Sequence, residues 1–544
     1  MEKSGRINSI IEENTLAILD ASGLTDARDY DDDRLTFLEA VRASSIVAEN
    51  TTAPSSKMFG AVFQILRDAR SLELAVASYQ LLCELDKRFP RVCISHGDKS
   101  ESLQTTPLEF YVKEAWSPFV FGLESSYSGR EVTDKNLGEP MDSSQFLVLI
   151  QGITQLGHGM GFQLSDSKPL GNMLLFQYLV SVLEGDFLPR NTVYKETKNW
   201  VLLRESLLNM LLGSRRISYK NLIRDCLSII SKGFYSHGKY SAHELEHAEK
   251  SPARIVKEQD TSLAFALVEL EKGTCIALQK FLVLVMELDL SKKQADMHGL
   301  TSRADGVRTP LVEIILDELT YDKDLLLQFL LVFSDPKWKL EIILLYFRKY
   351  ITKPSTRTRR SNNSSDDDTF HGILRCFSNG TSTKSIIKKI SVDVGQLLLA
   401  HGFQAYLSLQ LCVQQNAASG GDIVAVSLVQ ICKDMISAFR NLQTTDGGME
   451  IIPIGKEALF TAATIVTLKS QQLERESSED KSKASILEVA VGSLGTGIAV
   501  GIGAGVTITG STGLGLEAER AEMTCQMVVF AAIVAFDGRH QPYG

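Results

Sequence analysis

Apolar residues recur along this chain at helical spacing, and strand-like alternation is hardly seen. Arg34 to Ala43 reads as a helix entered after Asp31-Asp32-Asp33, acids that suit a helix N-terminus. Phe59, Val62, Phe63 and Leu66 share the next face. Leu72, Val76, Tyr79, Leu82 and Leu85 share another, which stops at Phe89-Pro90. Met173, Phe176, Val180 and Leu183 follow, and after Leu188-Pro189 a fresh helix is predicted through Trp200, Leu203, Leu207, Met210 and Leu211. Leu222, Cys226, Ile229 and Ile230 form a further face, and Leu263, Leu267, Leu270, Phe281, Val285 and Leu288 resume the pattern. Met286 to Arg360 holds three apolar helical segments in succession. Thr309-Pro310 and Asp335-Pro336 each read as a cap followed by proline at the first helical position. Val312, Ile315, Leu316 and Leu319 fall on one face between them, as do Leu326, Phe329, Leu330 and Phe333, and Trp338, Ile342, Leu345 and Tyr346 follow. Helical signal returns at 386–390 and 397–411, then at Leu428, Ile431, Met435 and Phe439, and closes at 459–468.

Polar stretches divide these helices. Residues 94–110 and 124–143 read as long surface loops flanking Glu114-Ala115-Trp116-Ser117-Pro118-Phe119. The acidic tract Ser361 to Asp368 reads as disordered. The organisation expected is an N-terminal arm over 1–30, a helical body over 31–468 with a disordered loop at about 354–370, and a glycine-rich extension over 469–544. Many consecutive amphipathic helices predict an all-α fold, an irregular α-solenoid of armadillo or HEAT type with long polar loops. No repeat recurs at the period of roughly 40 residues that such arrays use, so an irregular bundle stands as the alternative.

The extension changes character. Val489 to Leu516 carries no charge and contains Gly497-x-x-x-Gly501-x-x-x-Gly505, a spacing used where membrane helices dimerise. It is rich in glycine and threonine rather than leucine, and glycine is a poor helix former. A loosely packed extension is therefore expected in preference to a membrane span.

Composition narrows the partners. A net charge of −9 argues against direct, non-specific DNA binding, which depends on neutralising phosphates. The eight cysteines are scattered without a C-x-x-C pair, several inside apolar runs, as free thiols in a reducing compartment are. The N-terminal residues lack the apolar core of a secretory signal, so the cytosol or nucleus is expected.

Three segments carry candidate chemistry. His243-Glu244-Leu245-Glu246-His247 matches H-E-x-x-H, in which two imidazoles one helical turn apart hold zinc and the glutamate acts as base. It sits in a polar connector, Glu246 places a charge where such a helix wants an apolar residue, and no third ligand follows in a recognisable motif. A solvated segment is the preferred reading, a zinc-dependent hydrolase the alternative. Ser302 to Pro310 holds Arg303, Asp305 and Arg308 beside a helix N-terminus, where backbone donors and guanidinium groups together suit a carboxylate or phosphate partner. The competing reading is a structured turn whose arginines pair with acids such as Asp296 or Glu313. Arg357, Arg359 and Arg360 form a basic cluster that reads either as a nuclear-import signal or as a solvated helix end. No phosphate-binding loop, nucleophile elbow, kinase set or zinc-finger spacing is present, and no cofactor is implied.

Several strings resemble the plant family called negative regulator of systemic acquired resistance. They are Met286 to Arg360, Asn14-Thr15-Leu16-Ala17, Leu38-Glu39-Ala40-Val41-Arg42-Ala43, Glu114 to Phe119, Leu170-Gly171-Asn172-Met173, Phe187-Leu188-Pro189-Arg190-Asn191, Phe377-Ser378-Asn379-Gly380-Thr381, and Ile452 to Phe460. The resemblance implies a nuclear, helical, leucine-rich, armadillo-like scaffold that represses pathogenesis-related defence genes. It also implies a non-core subunit of the structural-maintenance-of-chromosomes five-six complex, acting in DNA-damage repair and recombination. The partners implied are subunits of that complex and regulators of transcription and defence. The family offers no catalytic residue to carry over. The H-E-x-x-H string, the polar inserts and everything beyond Leu468 fall outside the likeness.

Overall fold

The computed structural model describes residues 13–19, 27–47, 53–95, 109–112, 116–121, 140–156, 168–215, 217–232, 258–302, 308–351, 369–416, 421–445 and 450–471. The chain divides into two compact units, Met1–Asp335 and Pro336–Gly544. Among the described residues the fold is all-α apart from one short hairpin, consistent with the irregular stack of helices expected.

The first unit holds α1 (13–19), α2 (Ala27–Arg42), α3 (Ser56–Asp68), α4 (Leu72–Arg88), α5 (Ser143–Leu156), α6 (Lys168–Thr197), α7 (Trp200–Arg204), α8 (Leu207–Gly213), α9 (Tyr219–Lys232), α10 (Glu258–Met297), α11 (Leu311–Tyr321) and α12 (Lys323–Val332). Strands β1 (Val92–Ser95) and β2 (Glu109–Val112) pair antiparallel between α4 and α5, with Val92 opposite Val112. The stretch expected to be loop over 94–110 therefore includes both strand ends. Four-residue strands are too short to leave a readable alternation in sequence.

Helix α6 is the hub. It packs against α10 along much of its length and also touches α3, α4, α5, α7, α8 and β1. Gly273 of α10 leaves room for the end of the Gln177 side chain, which a Cβ there would meet at 2.8 Å. The Gln177 amide donates to Leu270 O and Thr274 Oγ1, each at 3.2 Å. Farther along, the Tyr194 hydroxyl donates to Ser291 O at 3.1 Å and Ser291 Oγ to Asn191 Oδ1 at 2.9 Å. Phe146 of α5 meets Phe176 and Phe281 at ring-centroid distances of 6.2 and 5.9 Å, joining three helices in one aromatic core.

Several boundaries differ from the sequence reading for local reasons. Proline does not end a helix at Leu188-Pro189, because Pro189 lies inside the continuous α6. The next apolar run is two short helices rather than one, since the Ser206 hydroxyl caps α8 by accepting from Asn209 N at 3.3 Å. On α4 the buried face is Leu74, Ala75, Ser78, Leu81, Leu82 and Leu85, while Leu72, Val76 and Tyr79 are only half-buried. The α3 face of Phe59, Val62, Phe63 and Leu66 is buried as read.

The second unit holds α13 (Pro336–Tyr350), α14 (Phe370–Ser378), α15 (Gly380–Ile390), α16 (Val392–Asn416), α17 (Gly421–Thr445) and α18 (453–471). Helix α13 begins at Pro336, as the Asp335-Pro336 pair predicts. Gly402 lets α16 approach closely: a Cβ there would lie 2.7 Å from the Phe370 ring and 3.4 Å from Ile343. The Thr383 hydroxyl and the Asn441 amide both donate to Phe377 O, at 2.7 and 2.9 Å, joining the ends of α14, α15 and α17. Cys226 and Cys275 in the first unit and Cys432 in the second are buried free thiols, as the apolar runs around them require.

His401 of α16 is only 4% exposed, and neither ring nitrogen has a hydrogen-bond partner. Burial, reinforced by the Lys339 charge, pushes its pKa down to about 3, while burial pushes Lys339 down to about 8. Both groups hold a proton less readily folded than unfolded. Stability therefore rises with pH between about 3 and 6.5 through His401, and between about 8 and 10.5 through Lys339. Replacing His401→Leu removes the first dependence together with an unmet polar group. Matched urea denaturation curves should show the variant gaining on the parent as pH falls below 6.5. A stability difference that does not change with pH would contradict this placement.

Candidate functional site

Asp186 occupies the inner face of α6 between Leu183 and Phe187, where helical spacing calls for an apolar residue, and its side chain is fully buried. Its Oδ1 pairs with Arg190 Nε one turn on at 3.2 Å and with Arg91 Nε at 3.4 Å. Its Oδ2 accepts from Leu207 N, at the start of α8, at 2.8 Å. Arg190 Nη1 in turn donates to Leu202 O of α7 at 3.1 Å. One carboxylate thus ties α6, α7, α8 and the link between α4 and β1. The Asp186–Arg190 pair also spans Pro189, the residue that lacks a backbone donor, and braces the helix there. Removing one partner of such a group leaves a charge buried and unpaired, a larger loss than the intact pair's net worth.

Beside Asp186 lies a cavity of about 220 Å³ between α3, α4 and α6, whose wall includes Phe59, Asp86, Arg91, Trp116, Tyr178 and Asp186. Trp116 stacks on Phe59 at 5.8 Å with ring planes 11° apart and contacts Phe63 at 5.2 Å. This docks Trp116 of the expected aromatic segment onto α3, while Glu114 and Ala115 lie outside the described residues. Burial pushes the Asp86 carboxyl up to about 6, against a smaller opposing effect of the Tyr178 hydroxyl. Tyr178 is fully buried. The Asp86 carboxyl faces its hydroxyl and raises the phenol's pKa further.

A second acid is used in the same way on α10. Asp289 pairs with Arg308, accepts from the Tyr219 hydroxyl at 3.2 Å, and accepts from Leu311 N at 2.7 Å. The Arg308 guanidinium also lies 4.2 Å from the centre of the Tyr219 ring. Burial and the Asp289 charge raise the Tyr219 phenol far above its ordinary range. Helix α11 consequently begins at Leu311, one residue later than Thr309-Pro310 suggests, and its N-cap, Pro310, makes no side-chain cap bond. The capping acid comes from α10 instead. Asp289 is also the acid that Arg308 meets, rather than Asp296 or Glu313.

Of the residues read from sequence as a partner-binding loop, Arg308 is thus seated in this latch, and Arg303 and Asp305 lie outside the described residues. Arg357, Arg359 and Arg360 lie outside them too, as do His243, Glu244 and His247, the acidic tract and the extension beyond 471. Among the described residues no group of three or more His, Cys, Asp or Glu side chains is placed to hold a metal ion, and no helix is long and apolar enough to cross a membrane. Asp186, Asp86 and Tyr178 were not singled out by sequence reasoning. One signal was there for Asp186: an acid and an arginine four residues apart on the buried stripe of Leu183 and Phe187.

Two family models match the chain, one described as the SNI1 middle domain over residues 91–335 and one as the SNI1 C-terminal domain over residues 351–470. The first match ends at the residue where the two compact units part. The chain is similar to the negative regulator of systemic acquired resistance SNI1 of Arabidopsis thaliana, with 45% identity over 463 residues, covering 85% of this chain and 95% of that protein. No solved structure matches.

Asp186→Ala removes the acid shared by Arg190, Arg91 and Leu207 N, so it should cost about 3–5 kcal/mol in urea denaturation. A loss under about 1 kcal/mol, the scale of an exposed pair, would show that Asp186 organises nothing. Asp289→Ala should cost more than Arg308→Ala, at about 1–3 kcal/mol. The arginine variant leaves Asp289 with its Tyr219 and Leu311 bonds, and the reverse ranking would contradict the latch.

Proposed function

The chain belongs to the SNI1 family, and from that premise we propose that it is a negative regulator of systemic acquired resistance, working as a nuclear, non-catalytic protein scaffold. The observation that carries this reading is the 45% identity to the Arabidopsis thaliana regulator, sustained over 95% of that protein. A match of 463 residues is longer than the first unit, Met1–Asp335, and so reaches into both units. The acids that a catalytic reading would claim support it as well. Asp186 and Asp289 are each committed to an arginine and a helix start, which is structural work. A net charge of −9 favours action through proteins over direct capture of DNA.

In finer terms, the scaffold represses pathogenesis-related genes and serves as a non-core subunit of the structural-maintenance-of-chromosomes five-six complex in DNA-damage repair and recombination. Its route into the nucleus is the basic cluster Arg357, Arg359 and Arg360. Repression and membership of the complex rest on the family resemblance of the sequence, and the import route on the basic run itself.

The test is complementation. Expressed in Arabidopsis plants that lack the relative, this chain should restore low basal expression of pathogenesis-related genes, and affinity capture from their nuclei should recover subunits of that complex. Protein that accumulates in nuclei yet leaves those transcripts high would overturn the repressor reading. Capture that returns the chain alone would overturn the complex.

A further inference from the structure

The cavity beside Asp186 is enclosed by groups that do not suit every guest equally. Its volume of about 220 Å³ exceeds the roughly 150 Å³ that holds a benzene-sized molecule. Its walls are aromatic on one side, where Trp116 lies stacked on Phe59, and Phe89 adds a further ring. The polar groups facing it come from three places: Asp86 on α4, Tyr178 and Asp186 on α6, and Arg91 after α4. Asp186 is already met by Arg190, Arg91 and Leu207 N, so its charge is spoken for. The Tyr178 hydroxyl is wholly buried, and the group it faces is the Asp86 carboxyl. No cation contributes to the titration of Asp86, which depends on burial and Tyr178 alone.

Those groups discriminate between ligand classes. A neutral apolar guest would leave the Asp86 carboxyl with no neighbour but the Tyr178 hydroxyl in a drier cavity, at a cost. An anion would be pressed against Asp86. A cation carried on an alkyl stem would meet the carboxylate with its charge, accept contact from the aromatic faces, and fill the apolar remainder with its stem. We propose that this cavity binds an ammonium or guanidinium group, and that its guest is a lysine or arginine side chain of a protein partner. The site goes beyond the regulatory role above, since neither the family nor that role supplies a pocket.

A pH dependence follows. The guest selects the ionised form of Asp86, whose carboxyl burial pushes up to about 6. Cys83 on the same helix is pushed up to about 11, and Tyr178 lies well above 10, so both stay neutral through this range. Affinity for a cation should therefore be about tenfold weaker at pH 5 than at pH 7, in proportion to the ionised fraction.

Calorimetry on the full chain tests this with four probes: the acetylated methylamides of lysine, arginine and norleucine, and butylamine. The lysine and arginine derivatives should bind saturably and the norleucine derivative should not. Asp86→Asn should abolish both the binding and its pH dependence. Tyr178→Phe should weaken binding without abolishing it, because it removes the hydroxyl beside Asp86 and leaves the carboxylate in place. That keeps the proposal testable even if Asp86→Asn fails to fold. Equal binding of norleucine, absence of saturable binding by either cationic derivative, or parent-like binding by Asp86→Asn would overturn it. Butylamine binding where the lysine derivative does not would overturn a protein side chain as the guest.

Discussion

A carboxylate buried on the hub helix is the constraint on which the first unit depends. Placing Asp186 inside α6 is costly unless every lone pair finds a donor, and the surroundings supply two guanidinium groups and a backbone N–H. Because those donors come from different elements, meeting the need of one side chain fixes where α7, α8 and the start of β1 must lie. Asp289 repeats the device on α10 with Arg308, Tyr219 and the first turn of α11. In both cases an acid on a long helix accepts from the N-terminus of a short one, where the helix dipole favours negative charge. Short helices are marginal alone, so a fixed acid at their start helps to hold them, in α8 together with the Ser206 cap.

Apolar packing fills the space these acids define. The ring chain through Phe146, Phe176 and Phe281 joins α5, α6 and α10. Gly273 leaves room for the Gln177 amide to reach across to α10. The cavity between α3, α4 and α6 is then what remains where the aromatic segment around Trp116 closes over the polar end of the core. A protein that works by recognition needs rigid surfaces more than reacting groups, and this arrangement provides rigidity from charges satisfied in the interior.

Legibility of the sequence followed the range of the interaction. Helical faces with strong periodicity, such as Phe59, Val62, Phe63 and Leu66, or Met173, Phe176, Val180 and Leu183, were readable because each depends on its own few turns. The start of α13 at Pro336 was readable for the same reason. The start of α11 was not, because its cap is contributed from 22 residues away by Asp289. Continuity through Pro189 was hidden likewise, since the pair that braces it is visible only once Asp186 is known to be inside. The cavity could not have been read at all: Phe59, Asp86, Trp116 and Tyr178 come from well-separated parts of the chain and meet only through packing.

Hydrogen exchange on Asp186→Asn, resolved by peptide, tests the central claim most directly. The substitution keeps the shape and removes the charge. Protection should fall most in α7, α8 and the Val92 end of β1, while α11, held by Asp289, keeps its parent-like exchange. Unchanged protection in α7 and α8, or a loss spread evenly over the first unit, would contradict the dependence of those elements on that one acid.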